Sequence, residues 1–273
     1  MSDTLDQCAR GAISPQIALA RLVLAGERID AAAIAADAPP GSPLHEVARL
    51  ADAHRDRLGR LGRLAAEGLD PEGPDLLAAT AALFDRLAAK EPEAAVAFYS
   101  LGDPALLAAA TDELVGVVRA WTAVEGARVL DFGCGIGRVA TAIAPPAADV
   151  TGVDISAAMV AEARARGAGL ANVRFEVTDG GPLPFPDARF DLVLAVDSFP
   201  YLVRAGVVEP QLAELARVLR PGGDLLVFNW SYRGDAAADA REAAGAAGFA
   251  VRRSGERPFG IWDAAGFHLR RLP

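Results

Sequence analysis

From Arg128 to the end of the chain, short runs of apolar and β-branched residues alternate with stretches of helical period, and few folds accommodate that alternation. Val129-Leu130 opens a first strand. Residues 149–153, 173–177, 190–196 and 225–228 make four more, with helical stretches at about 137–144, 157–167, 210–219 and 235–247 between them. Strands joined by helices build a parallel, doubly wound α/β sheet, because each right-handed crossover lays its helix on one face of the sheet. Leu192-Val193-Leu194-Ala195-Val196 is apolar without interruption, as a strand covered on both faces must be. Residues 249–251 and 267–269 read as two further strands joined by a long loop.

Residues 1–121 have a different rhythm and read as an all-helical region, with 122–273 as the sheet domain. Ser14-Pro15, Ser42-Pro43 and Asp103-Pro104 each place a side-chain acceptor at a helix N-cap and a proline at the first helical position. The acceptor satisfies an orphan N–H, and proline lacks the donor that would be unpaired there. Gly26 and Gly68 follow apolar periodic stretches, as C-terminal caps do. Residues 44–64 carry Leu44, Val47, Leu50, Ala51, His54, Leu58, Leu61 and Leu64 on one face and charges on the other, which predicts one amphipathic helix.

In an open α/β sheet, ligands bind beyond the carboxyl ends of the strands, where strand order reverses. Strand one is followed by Asp131-Phe132-Gly133-Cys134-Gly135-Ile136-Gly137, strand two by Asp154-Ile155-Ser156, strand three by Thr178-Asp179-Gly180 and strand four by Asp197-Ser198. Four successive strands thus deliver an acid to one edge, which a purely structural sheet does not need. The glycines permit a sharp turn and close approach of a ligand to the backbone. Asp154, about 20 residues on at the tip of strand two, is placed to accept both hydroxyls of a ribose. Dinucleotide folds use G-x-G-x-x-G with a pyrophosphate on the helix N-terminus. Here the spacing is G-x-G-x-G with Asp131 before it, and a carboxylate there suits an ammonium and a sulfonium better than a pyrophosphate.

The Asp131–Gly137 segment resembles the first motif of class I S-adenosylmethionine-dependent methyltransferases, and the stretch from about 126 to 253 is similar to that family in motif order. Val153-Asp154-Ile155-Ser156 resembles its ribose-binding acidic motif and Asp179-Gly180 its adenine-holding pair. Phe190-Asp191-Leu192-Val193-Leu194 resembles its fourth strand, and Leu219-Arg220-Pro221-Gly222-Gly223 the turn before the fifth. The resemblance implies a Rossmann-like sheet of seven strands with the last antiparallel. It implies S-adenosylmethionine as cofactor, bound by Asp131, Gly133, Cys134, Gly135, Gly137, Asp154, Ile155, Asp179 and Gly180, with the glycine loop and Asp131 facing the methionine part. The helical region is then an acceptor cover or a dimer contact. Tyr99 lies where some members send an aromatic residue to the cofactor, and a core position suits it equally.

Methyl transfer from a sulfonium is an in-line displacement with a neutral leaving group. The protein must bring the nucleophile to about 3 Å and exclude water. A base is needed only where the acceptor holds its proton. Asp197, at the end of strand four, is the candidate to orient or deprotonate an acceptor; contact with the cofactor and a loop cap are its other readings. Ser198, Tyr201, Trp230, Tyr232 and Trp262 are candidates to line the acceptor pocket. Cys134 reads as a small residue in a tight turn, with no His or Lys nearby in sequence to activate it.

The acceptor is expected to be a small molecule. A net charge of -9 and no basic run put nucleic acid low among partners. Neither the two cysteines nor the three histidines show metal-ligand spacing, so no metal is expected. The first ten residues are polar, and apolar runs stop well short of the ~20 residues of a membrane span, so the expected location is cytoplasmic. A non-catalytic accessory protein on the same fold is the alternative function, and a nicotinamide dehydrogenase a third.

Overall fold

The computed structural model describes residues 2–36 and 38–273 and divides into two compact units. One gathers the chain up to Asp70 with Glu91–Ala110 and Phe259–Asp263. The other holds Pro71–Lys90, Thr111–Pro258 and Ala264–Pro273. The units therefore do not meet at residue 121. The segment 71–90 belongs with the sheet, because Leu77 packs on the sheet's hydrophobic core and Leu83 and Leu87 are buried.

The first unit carries α1 (Asp3–Ala9), α2 (Pro15–Leu24), α3 (Ala31–Ala36), α4 (Pro43–Ala53) and α5 (Arg55–Ala66). Helix α6 (Leu76–Ala88) lies in the second unit, α7 (Pro92–Val96) returns to the first, and α8 (Pro104–Trp121) runs from the first into the second. The expected caps form: the Ser14 hydroxyl accepts the Ile17 N–H at 3.1 Å and the Ser42 hydroxyl that of His45 at 3.2 Å. Asp103 accepts the N–H groups of Ala105 and Leu106 at 2.8 and 3.1 Å. Each such cap contributes about 1 kcal/mol. The single helix expected over 44–64 is two, α4 and α5, divided at His54, whose φ of -114° leaves the helical region. The apolar face continues across the division, with Val47, Leu50, Ala51, Leu58, Leu61 and Leu64 all buried, so the side-chain period alone did not reveal the break.

In the second unit, β1 (Arg128–Phe132), β2 (Asp149–Asp154), β3 (Val173–Val177), β4 (Phe190–Val196), β5 (Leu219–Phe228), β6 (Phe249–Glu256) and β7 (Gly266–Arg271) form one sheet of order β3-β2-β1-β4-β5-β7-β6. Neighbours from β3 to β5 pair parallel, while β7 runs antiparallel to β5 and β6. The last strand is thus antiparallel, as expected. Strand order reverses between β1 and β4, which makes that edge the ligand-binding crevice. The helices α9 (Arg138–Ile143), α10 (Ala157–Gly167), α11 (Phe199–Ala205), α12 (Val208–Val218) and α13 (Ala236–Ala244) complete the unit. Of these α11 was not anticipated. Strand β5 begins at Leu219, already paired with Phe190, and the register shifts before Leu192 meets Asp224. Arg220-Pro221-Gly222-Gly223 is therefore a bulge within β5 rather than a turn before it. A side chain at Gly223 would stand 2.9 Å from the Arg220 carbonyl and 3.0 Å from that of Asp191.

Phe190, Phe228, Trp230 and Phe267 are fully buried in the unit's core. At ~1.5–3 kcal/mol per large apolar side chain, such residues hold the sheet rigid beneath the loops at its edge.

Candidate active site

The glycine loop leaves β1 in a tight turn. Gly133 and Cys134 both donate to the Val153 carbonyl, at 2.8 and 2.9 Å, which ties the loop to the end of β2. Gly133 has φ +75°, and a Cβ there would stand 2.5 Å from the Ser198 Cβ. Gly137 has φ +74° and serves packing: the Phe175 ring from β3 would lie 2.7 Å from its Cβ. The first glycine thus holds the loop close to the β4 end, and the third seats α9 on the sheet. Cys134 is buried, and burial pushes its thiol well above the ordinary range. It stays protonated and acts as a packing residue, not a nucleophile.

Asp131 is 1% exposed. One carboxylate oxygen accepts the Ala140 N–H in the first turn of α9 at 3.1 Å. Burial raises the carboxyl to about 7, against the opposing pull of Arg138 and the Ala140 N–H, and nearby Asp154 raises it further. A carboxylate so strained by desolvation is stabilised by a cation brought beside it.

Asp154 stands at the end of β2 and accepts the Gly135 N–H on one oxygen at 2.8 Å and the Ser156 N–H on the other at 2.9 Å. Burial raises its pKa, and these backbone donors partly oppose the rise. Each oxygen keeps a lone pair for a ligand hydroxyl. Ile155, Gly180 and Leu77 gather beside it. A Cβ on Gly180 would lie 3.7 Å from the Ile155 Cγ2 and 3.0 Å from the Leu77 Cδ1, so the three form an apolar wall suited to a purine. Asp179 is exposed and turns back on Gly181, accepting its N–H at 2.9 Å.

At the ends of β4 and β5, Asp197 and Asn229 both adopt left-handed backbone, φ 59° and 70°. The Asn229 side-chain amide donates to Asp197 at 2.6 Å. Such conformations outside glycine store strain and gather at functional sites. The Tyr232 phenol hydrogen bonds with Asp197 and Tyr201. Burial around the hydroxyl, then the Asp197 charge, raises its pKa well above the ordinary range. The residue as a whole is 62% exposed, so a ring edge stays open. Tyr201 meets Tyr232 edge-on at 6.0 Å and Phe84 of α6 at 5.2 Å. The Ser198 hydroxyl is buried without a partner beside the glycine loop.

The structure therefore brings Asp197, Ser198, Tyr201 and Tyr232 together at one edge. It does not bring Trp230 there. That side chain is fully buried, donates to Glu242 at 2.8 Å and packs on Phe199 and Phe267 at 4.9 and 5.1 Å. It stands two residues beyond the end of β5, with its ring among the core aromatics. Tyr99 and Trp262 stack on each other at 5.6 Å in the helical unit, both nearly buried. Sequence reasoning missed Asn229, Phe84 and Leu77. Asn229 had a signal, since Asn is enriched at positive φ just beyond a strand; nothing in the spacing of α6 marked it as part of the sheet unit.

These residues fit S-adenosylmethionine. An acid at the end of β2 keeps lone pairs for a ribose, the buried, desolvated Asp131 suits the ammonium, and an orphan hydroxyl faces the glycine loop. Among known proteins, residues 129–223 match the family model described as a methyltransferase domain. Demethylmenaquinone methyltransferase of Clavibacter sepedonicus is 38% identical over 130 residues, 46% of this chain and 51% of that protein. Fatty-acid O-methyltransferase of Mycolicibacterium smegmatis is 43% identical over 105 residues, 38% of this chain and 37% of that protein. The chain thus spans about half or less of the curated relatives it matches. A solved S-adenosylmethionine-dependent methyltransferase from Aquifex aeolicus superposes with a TM-score of 0.50 at 24% identity, over 62% of this chain and 94% of that one, a likeness of fold. Sheet order, loop geometry and the matched domain agree: the sheet unit has the class I methyltransferase fold, and residues 129–223 are similar in sequence to a methyltransferase domain.

Proposed function

We propose that this protein transfers a methyl group from S-adenosylmethionine to a small-molecule acceptor. The observation that carries the reading is the double anchoring of Asp154, bonded to the glycine loop on one oxygen and to the turn after β2 on the other, at the edge where strand order reverses. The residues hold the cofactor in parts: Asp154 the ribose, Ile155, Gly180 and Leu77 the purine, Asp131 and the loop from Gly133 to Gly137 the methionine end. When bound, S-adenosylmethionine supplies an electrophilic methyl carbon on a good leaving group.

The acceptor sits against Asp197, Asn229, Tyr201 and Tyr232. Asn229 and Tyr232 hold the Asp197 carboxylate in place, and Asp197 orients the nucleophile and takes its proton where it has one. Arg233 is bonded to Asp239 and Glu242, so the guanidinium following Tyr232 in the chain is committed elsewhere and the aromatic cluster favours a neutral or cationic acceptor over an acidic one. The acceptors named for the two relatives, a demethylmenaquinone and a fatty acid, support a small-molecule acceptor and say nothing for its charge. We place the protein in the cytoplasm, where its two buried free thiols suit a reducing compartment; no helix among the described residues is long and apolar enough to cross a membrane. The N-terminal helices serve as an acceptor cover or a self-association surface.

The deciding experiment incubates the protein with methyl-labelled S-adenosylmethionine and a cell extract. Label in a low-mass product, absent with an Asp154→Ala variant, is expected. Tight binding of NAD with none of S-adenosylhomocysteine overturns the cofactor. Cofactor binding with no labelled product from any extract favours an accessory role.

A further inference from the structure

Asp85 lies on α6, more than forty residues before the first recognisable cofactor motif, yet it is wired into the ribose site. Its Oδ1 accepts the Ser156 hydroxyl at 2.6 Å and the Ala158 N–H at 2.9 Å. Ser156 is fully buried, and its own N–H is one of the backbone donors to Asp154. The Ser156 hydroxyl oxygen in turn accepts the Met159 N–H at 3.1 Å, capping α10. A continuous chain of hydrogen bonds therefore runs from α6 through Ser156 to Asp154 and on to Gly135 of the glycine loop.

Helix α6 is fixed at its start, at Leu77 and beside Asp85. About two turns to the N-terminal side of Asp85, Leu77 closes on Gly180, and the adjacent Phe84 meets Tyr201 edge-on. At its start, Asp75 accepts the N–H groups of Leu77 and Ala78. A carboxylate on a helix anchored in this way is a rigid acceptor, and the turn after β2 is registered against it rather than left as a free loop.

We propose that Asp85 is a positioning residue for cofactor binding: through Ser156 it holds the turn after β2 so that Asp154 presents its open lone pairs to the ribose hydroxyls. The proposal rests on the ribose reading of Asp154. It makes segment 71–90 part of the cofactor site, although no motif in it marks it so. The chemistry asked of Asp85 is acceptance of two hydrogen bonds at one oxygen, which an asparagine side chain can also provide.

The test is calorimetric titration of the full-length protein with S-adenosylhomocysteine and with its 2′-deoxyribose analogue. The wild type should prefer the ribose compound by about tenfold or more, the scale of a hydrogen bond to a charged acceptor. Asp85→Ala should shrink that preference to within about threefold, while Asp85→Asn keeps it. A purely structural role would lower the melting temperature and weaken both compounds alike, leaving the preference intact, and that result overturns the proposal alone. Should Asp85→Ala not fold, Ser156→Ala breaks the chain from the other side and must shrink the preference in the same way; an unchanged preference there overturns it too. A wild type that binds both compounds equally removes the ribose contact and this proposal together, and one that binds neither overturns the cofactor assignment as well.

Discussion

Asp131→Asn should stabilise the empty protein above neutral pH while weakening its hold on the cofactor. The wild-type carboxyl has an ordinary value of 3.8 and is raised to about 7 in the fold, chiefly by burial. In the unfolded chain it ionises near pH 4, so between pH 4 and 7 the folded state binds more protons than the unfolded one. Stability contributed by this group therefore falls as pH rises through that window, and the loss is complete above the folded value. At about 1.4 kcal/mol per pKa unit, the full penalty is roughly 4 kcal/mol, of which roughly 2–3 kcal/mol develops between pH 5 and pH 8. Asparagine keeps an acceptor for the Ala140 N–H and carries no charge to desolvate. Denaturant unfolding of both proteins at pH 5 and pH 8, without ligand, should show the variant gaining on the wild type by that amount at the higher pH. Titration with S-adenosylhomocysteine at pH 8 should show the variant binding at least tenfold more weakly, because its ammonium loses a charge partner. A stability difference that does not change between pH 5 and 8 would refute the desolvation argument; unchanged affinity would remove Asp131 from the methionine end.

Three further perturbations address separate parts of the site. Asp154→Ala should weaken S-adenosylhomocysteine roughly 10- to 100-fold, or ~1.5–3 kcal/mol, with the fold retained by circular dichroism; unchanged affinity beside a collapsed melting temperature would make Asp154 structural. Gly133→Ala places a Cβ 2.5 Å from that of Ser198 on a backbone with φ +75°, and should lose stability by about 1–3 kcal/mol together with cofactor affinity; a variant matching the wild type in both would show that the loop does not need to approach β4 so closely. Asp197→Asn suits the left-handed backbone at that position, so cofactor affinity should stay within about threefold while turnover on the true acceptor falls about 10²-fold or more; turnover equal to wild type would remove Asp197 from the chemistry.

The parts of the site that were legible in the sequence are those where one residue type is demanded by backbone and chemistry at once. Asp131, Gly133, Asp154 and Asp197 stand directly after apolar β-rich runs, and a strand end fixes where the next side chain emerges. The β4 and β5 ends were harder to read. Asp197 and Asn229 reach each other across adjacent parallel strands, a pairing set by the β4–β5 register and by a bulge at Arg220–Gly223 that pushes β5 forward. Trp230, two residues beyond β5, lies in the core, where its aromatic character alone suited a pocket wall equally.

Helix α6 is hard to place from sequence for a deeper reason. Its apolar spacing announces a helix with a buried face, and Leu83 and Leu87 are indeed buried, but periodicity carries no address: it says that a face is covered, not by what. The information that assigns α6 to the sheet lies in single contacts: Leu77 on the sheet's core, Asp85 to Ser156 and Ala158, and the ring contact of Phe84 with Tyr201. None of these is a pattern within the helix. Each is meaningful only once the turn after β2 and the start of α11 are already in place. If that is how the segment is specified, loss of Asp85 should loosen α6 from α10 without unwinding it. Hydrogen exchange of Asp85→Ala should then show faster exchange at the Ala158 amide, with the Leu83 and Leu87 amides, internal to the helix, slowed less than in the wild type only in proportion to any global loss of stability. Equal protection at Ala158 in the two proteins would mean that apolar packing alone places the helix.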